Sequence, residues 1–120
     1  MASLPPRKVI SAQSAVDSGA LVVVDTLGNP FITLYVRSGA GVASGVVALE
    51  SSPDGDVSAN SKWTATPEAS ITTNAASTTF SVSVNEGHRY VRARISTIIG
   101  GGTIDAWIAA VGGGESIGWA

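Results

Sequence analysis

Apolar and polar residues alternate along most of this chain, and turn-forming residues interrupt the alternation at short, regular intervals. A period of two places successive side chains on opposite faces, which is typical of β-strands with one buried face. No window shows a sustained 3.6-residue stripe, so the chain is predicted to be all-β. The predicted inward rows are Ile32, Leu34 and Val36, then Phe80, Val82 and Val84, then Val91, Ala93 and Ile95.

Eight short strands are predicted between turns that contain Gly, Pro, Asn or Asp, such as Gly28-Asn29-Pro30 and Pro53-Asp54-Gly55. The predicted strands are Lys8–Gln13, Ala20–Asp25, Pro30–Arg37, Gly45–Ser52, Lys62–Thr66, Thr78–Val84, His88–Ser96 and Thr103–Val111. Short antiparallel strands at this spacing are typical of a β-sandwich or a barrel.

The last two strands are predicted to form a hairpin around Ile98–Gly102, because they are neighbours in the chain. This register would place Tyr90, Arg92 and Arg94 on the outer surface. The cross-strand partners would be Ile95 with Ile104, Arg94 with Asp105, and Arg92 with Trp107.

A chain of 120 residues has the usual size of one domain. We predict a β-sandwich domain at residues 8–111, an extended N-terminal arm at 1–7 and a Gly-rich C-terminal tail at 112–120. The Pro5-Pro6 pair favours an extended arm, and the tail carries Ile117 and Trp119 beyond three consecutive glycines. Trp119 is expected either to fold back onto its own domain or to insert into a neighbouring molecule.

One group of motifs points to a known architecture. A strand ending in Glu50-Ser51-Ser52 is followed by the Pro53-Asp54-Gly55 turn, by Trp63 and later by the strand Arg89–Ile95. This order resembles discoidin-like jelly-roll β-sandwiches and small structural proteins of tailed-phage virions, over about half of the chain. The resemblance implies an antiparallel jelly-roll-like sandwich and a structural role in a virion. The spacing between Gly55 and Trp63 is longer than is common in that motif.

Composition excludes several classes of partner. The formal net charge of −2 supplies no basic field for nucleic acid or for an acidic membrane surface, so neither partner is expected. With 0 cysteines there is no disulfide and no cysteine metal site. No apolar run is long enough for a secretory signal or a bilayer crossing, so a soluble protein made in a cytoplasm is expected.

Candidate chemistry is sparse. His88 is the single histidine, and a general base would need a nucleophile and an orienting carboxylate beside it. Asp54, Asp56 and Asn60 could offer oxygens to calcium, but they lack the spacing of the Ca²⁺-binding loop and its closing Glu. A plain turn is therefore favoured. We predict no enzymatic activity, no cofactor and no metal site.

The function predicted from these observations is that of a capsid decoration (cement) protein on a phage head, located in the virion. Its expected partners are the major capsid protein and further copies of itself, with a trimer as the expected oligomer. The alternatives are a carbohydrate-binding module, with Trp63, Trp107 and Tyr90 as stacking residues, or a tail or fibre component. The candidate partner-binding residues are Leu4, Pro5, Pro6, Arg7, Lys8, Tyr35, Tyr90, Trp107, Ile117 and Trp119.

Overall fold

The computed structural model describes residues 3–112, and these form an antiparallel β-sandwich. A single turn of 3₁₀ helix, Asn60–Lys62, precedes the fifth strand. The strands are β1 (Leu4–Gln13), β2 (Val24–Asp25), β3 (Phe31–Ser38), β4 (Ser44–Ser52), β5 (Thr64–Thr72), β6 (Thr79–Asn85), β7 (Tyr90–Gly100) and β8 (Ile104–Val111).

The strands form two four-stranded sheets. The front sheet has the order β1-β8-β3-β6, and the back sheet has the order β2-β7-β4-β5. The chain passes from one sheet to the other after every strand except β4, and this interleaved order is that of an eight-stranded jelly roll. The predicted antiparallel sandwich of about eight strands is confirmed.

The core lies between the two sheets, and the alternation in the sequence correctly identifies which residues fill it. Ile32, Leu34 and Val36 of β3 are fully buried, as are Val91, Ala93 and Ile95 of β7. Phe80, Val82 and Val84 of β6 are partly buried and pack against this core from the edge of the front sheet. Burial of each such Val, Leu, Ile or Phe contributes roughly 1.5–3 kcal/mol to folding.

Several segments differ from the predicted boundaries. β5 runs to Thr72, beyond the predicted end at Thr66, and β7 runs to Gly100, beyond the predicted end at Ser96. Residues 4–7, predicted as part of an arm, form the first part of β1, where Leu4 lies opposite Ala110. Within the predicted strand Ala20–Asp25, only Val24 and Asp25 join the ladder. The residues before them form turns, although Asp17 and Ser18 exchange backbone hydrogen bonds of 2.9 and 3.0 Å with Ile95 of β7.

The predicted hairpin of the last two strands is wrong, because β7 and β8 belong to different sheets. The backbone groups at the end of β7 pair with the start of β4, and those at the start of β8 pair with the end of β3. The connection between them therefore crosses the edge of the sandwich beside the β3–β4 connection. Gly101 has φ of +92° and packs directly on Gly41, so a side chain there would collide with the Gly41 carbonyl.

Candidate functional site

Two aromatic side chains lie next to each other on the outer face of the front sheet. Tyr35 of β3 and Trp107 of β8 are direct cross-strand partners, and both are half-buried. They take this face because their neighbours in sequence, such as Leu34 and Ile108, point into the core. Cross-strand aromatic pairs of this kind stabilise a sheet by roughly 0.2–1 kcal/mol.

Two cations flank the Trp107 ring. The Lys8 Nζ lies 5.4 Å from the ring centroid and the Arg37 Cζ lies 5.2 Å from it. Each cation also has a polar neighbour: Lys8 Nζ is 3.3 Å from an Asp105 carboxylate oxygen, and Arg37 Nε donates to Thr79 Oγ1 over 3.2 Å. Each cation–π contact at an exposed site contributes roughly 0.5–1 kcal/mol.

Tyr35, Arg37, Thr79 and Trp107 border a shallow depression of about 200 Å³, whose walls also include Pro6 at the edge of the sheet. We call this surface the Trp107 face; it consists of Pro6, Lys8, Tyr35, Arg37, Thr79 and Trp107. Its centre is aromatic and its border carries cations and a hydroxyl. Such a surface can pack against another protein or stack on a planar ligand.

The structure divides the predicted site residues into separate places. Pro6, Lys8, Tyr35 and Trp107 meet on the Trp107 face. Leu4, Pro5 and Arg7 line a groove at the edge of the sandwich, which Pro6 also borders. Tyr90 lies in the back sheet, where its ring packs over the Gly55 turn and under Arg89. Ile117 and Trp119 lie outside the described residues.

Arg92 and Trp63 do not have the exposed positions predicted for them. Arg92 is 0% exposed and Trp63 is 7% exposed. The Arg92 guanidinium lies 4.5 Å from the Trp63 ring centroid. The indole Nε1 donates to the Asp56 carbonyl over 2.7 Å. Trp63 is therefore a structural residue and offers no surface for stacking a sugar.

Glu50 joins two arginines on the outer side of the back sheet. Arg92 Nε donates to Glu50 Oε1 over 2.8 Å, and Arg94 Nη2 donates to Glu50 Oε2 over 2.9 Å. Arg92 also donates to the Ala20 carbonyl and to Asn60 Oδ1. The Glu50 carboxylate raises the pKa of Arg94. The segments that bear Ala20 and Asn60 cover this cluster, so the outward-facing Arg92 is fully buried and Arg94 is 18% exposed.

The ion pairs of Glu50 are not among the sequence predictions, although the sequence contains a pattern that indicates them. Glu50 is the only acid in the strand Ser44–Ser52, and two arginines spaced by two residues occur in β7. An acid on one strand and an i, i+2 pair of bases on another fit a cross-strand ion cluster. Finding it requires knowing that β4 pairs with β7, whereas the predicted hairpin assigned β7 to β8.

The turn after β4 is held by its own side chains. Ser52 Oγ accepts from the Gly55 backbone N–H over 3.1 Å, and Asp56 Oδ1 accepts from the Ser58 N–H over 2.9 Å. Lys62 Nζ lies 2.8 Å from Asp56 Oδ2, and this contact, with the Ser58 N–H, lowers the pKa of Asp56. These side-chain oxygens accept hydrogen bonds from backbone N–H groups and from Lys62, as is typical of a plain turn.

Comparison with protein-family models found no match for this chain, and comparisons with curated proteins and with solved structures found none. Within residues 3–112, no helix has the length and apolar character that a membrane span requires. In the same part of the chain, no group of three His, Cys, Asp or Glu side chains is placed to hold a metal ion.

Proposed function

We propose that this chain is a structural, non-enzymatic domain that decorates the head of a phage-like particle and binds the major capsid protein. The observation that carries the proposal is the position of Trp107, between Lys8 and Arg37 at the middle of an open sheet face. In this proposal the protein works in the virion, as one of several copies around a symmetry axis, with three as the expected number.

The composition of the Trp107 face suits a protein partner. Interfaces typically have an aromatic centre and a polar border, and Trp, Tyr and Arg are the residues whose loss weakens binding most. Trp107 and Tyr35 supply the centre, while Lys8, Arg37 and Thr79 supply the border. Jelly rolls occur in capsid proteins and in lectins, so the fold is compatible with the proposal without deciding it.

Binding to capsids provides the test. The protein would be mixed with heads assembled from the major capsid protein of the same genome and sedimented. We expect saturable binding, with Trp107→Ala weakening it by at least tenfold, because truncating a central interface residue typically costs about 2 kcal/mol or more. The matched control is Ile98→Ala, which removes an exposed apolar side chain (61% exposed) from the back sheet.

Three results would contradict this proposal. One is a protein that stays monomeric in sedimentation velocity and never binds heads. Another is equal binding by the Trp107→Ala variant and the Ile98→Ala control, which would exclude the Trp107 face. Binding to purified tails or fibres instead of heads would assign the protein to that part of the particle.

A second candidate function, carbohydrate binding, is favoured by one observation. The depression beside the Tyr35–Trp107 pair is bordered by Arg37 and Thr79, whose polar groups could hydrogen-bond sugar hydroxyls next to an aromatic platform. A glycan array followed by calorimetry tests it. We expect any binding to be lost in Trp107→Ala and to persist in Tyr90→Ala, because Tyr90 lies on the other sheet. An array without signal rejects this function.

A further inference from the structure

A groove of about 610 Å³ opens at the edge of the sandwich, between β1 of the front sheet and β2 of the back sheet. Both are edge strands, so the gap between them is open to solvent. Val24 and Ile108 form its buried floor. Its walls are formed by Leu4, Pro5, Pro6, Arg7, Val23, Asp25 and Leu27.

The groove is apolar except for two charged residues at its walls. Asp25 is already bound by Arg89, whose Nη2 donates to Asp25 Oδ2 over 2.9 Å, and this contact lowers the pKa of Asp25. The Arg7 side chain donates a long hydrogen bond of 3.4 Å to the Val23 carbonyl. Within residues 3–112 the structure pairs Arg7 with no carboxylate. The groove therefore suits an apolar segment that carries an acid.

We propose that residues 113–120 of the same molecule occupy this groove. The described chain leaves β8 beside it: Ala110 lies opposite Leu4, and Val111 is the last residue of the ladder. Eight further residues span about 25 Å when extended, and the groove wall Leu4–Arg7 is about 10 Å long. The tail is therefore long enough to reverse direction at its glycines and run along the groove.

The sequence of the tail matches the chemistry of the groove. In an extended segment, Glu115, Ile117 and Trp119 lie on one side, because side chains alternate. Ile117 and Trp119 supply the apolar surface for the floor, and Glu115 supplies a carboxylate for Arg7. The short edge strand β2 leaves backbone groups with which an added strand can pair. The tail can occupy this groove whether or not the protein binds capsids.

A spin label tests the proposal, since the chain contains 0 cysteines and a single one can be introduced. Ser116→Cys would carry a nitroxide, because residue 116 faces away from residues 117 and 119 in an extended segment. In the ¹⁵N-labelled protein we expect the amide signals of Val24 and Leu27 to lose more than half of their intensity. Signals at the far end of the sandwich, such as Thr97, should keep theirs.

The matched control carries the same label on a tail with Ile117→Ser and Trp119→Ser, and its broadening at the groove should fall at least twofold. Leu27→Asp should have the same effect, and this wall residue is 47% exposed, so the fold should tolerate it. Equal broadening with both tails would overturn the proposal. Broadening that appears only between differently labelled molecules in a mixture would also overturn it, because the tail would then occupy the groove of a second copy.

Discussion

Replacing Glu50 by Ala is expected to lower the free energy of unfolding by about 3–5 kcal/mol, because removing one partner of a buried ion cluster leaves uncompensated charge. Glu50 is 4% exposed and is the carboxylate that both Arg92 and Arg94 contact. Without it, the Arg92 guanidinium would remain fully buried with only the Ala20 carbonyl and Asn60 Oδ1 as acceptors.

Urea denaturation followed by circular dichroism measures this effect. The matched control is Glu86→Ala, which removes a carboxylate that is 42% exposed and paired with His88. Its expected cost is about 1 kcal/mol or less. Glu50→Gln should also destabilise strongly, since it keeps the size of the side chain but removes the charge. Equal losses in Glu50→Ala and Glu86→Ala would show that water reaches the cluster.

Much of this fold follows from the sequence because side-chain alternation is a local signal. The rows that include Leu34, Val82 and Ala93 were identified from a period of two, and the structure places each of them toward the core. The turns at Pro53-Asp54-Gly55 and Gly28-Asn29 separate strands as predicted. Each of these features depends on residues only a few positions apart.

Strand pairing could not be obtained in this way, because a jelly roll pairs strands that are distant in the chain. The front sheet brings together Lys8, Tyr35 and Trp107, which lie far apart in the chain. The sequence predicted Tyr35 and Trp107 as surface residues, but it paired Trp107 with Arg92. The structure instead gives Trp107 the cations Lys8 and Arg37. Of the residues that form the Trp107 face, the sequence singled out Pro6, Lys8, Tyr35 and Trp107, whereas Arg37, Thr79 and the arrangement of the group came only from the structure.

The same distinction explains the arginines of β7. Alternation correctly turns Arg92 and Arg94 away from the core between the sheets. It carries no information about the loops that later cover that side, and these loops bury Arg92 completely. One of these loops, the covering segment at residues 17–20, forms backbone hydrogen bonds with β7 through Asp17 and Ser18. At Gly19 there is no room for a Cβ between this segment and the Ala93 carbonyl of β7, so a substitution there tests how the cover is held.

Gly19→Ala is expected to lower the free energy of unfolding by about 2–5 kcal/mol, the sum of backbone strain and overpacking. Gly19 has φ of +88°, and a Cβ there would collide with the Ala93 carbonyl and lie 2.8 Å from the Ile10 side chain. The carbonyl belongs to a central strand of the back sheet and cannot move aside. The collision can therefore be avoided only if the covering segment moves away from β7. The hydrogen bond from Arg92 to the Ala20 carbonyl would then be lost.

The control is Gly87→Ala, since a Cβ at Gly87 meets nothing within 4 Å. It should raise the free energy of unfolding by about 0.4–1 kcal/mol, because it strains nothing in the folded state and lowers the entropy of the unfolded chain. Amide hydrogen exchange distinguishes the mechanism: in Gly19→Ala, the Ile95 amide, which donates to the Ser18 carbonyl over 3.0 Å, should exchange at least tenfold faster than in the Gly87 control. Unchanged protection at Ile95 would mean that the covering segment stays in place, and that β7 gives way to the added methyl group instead.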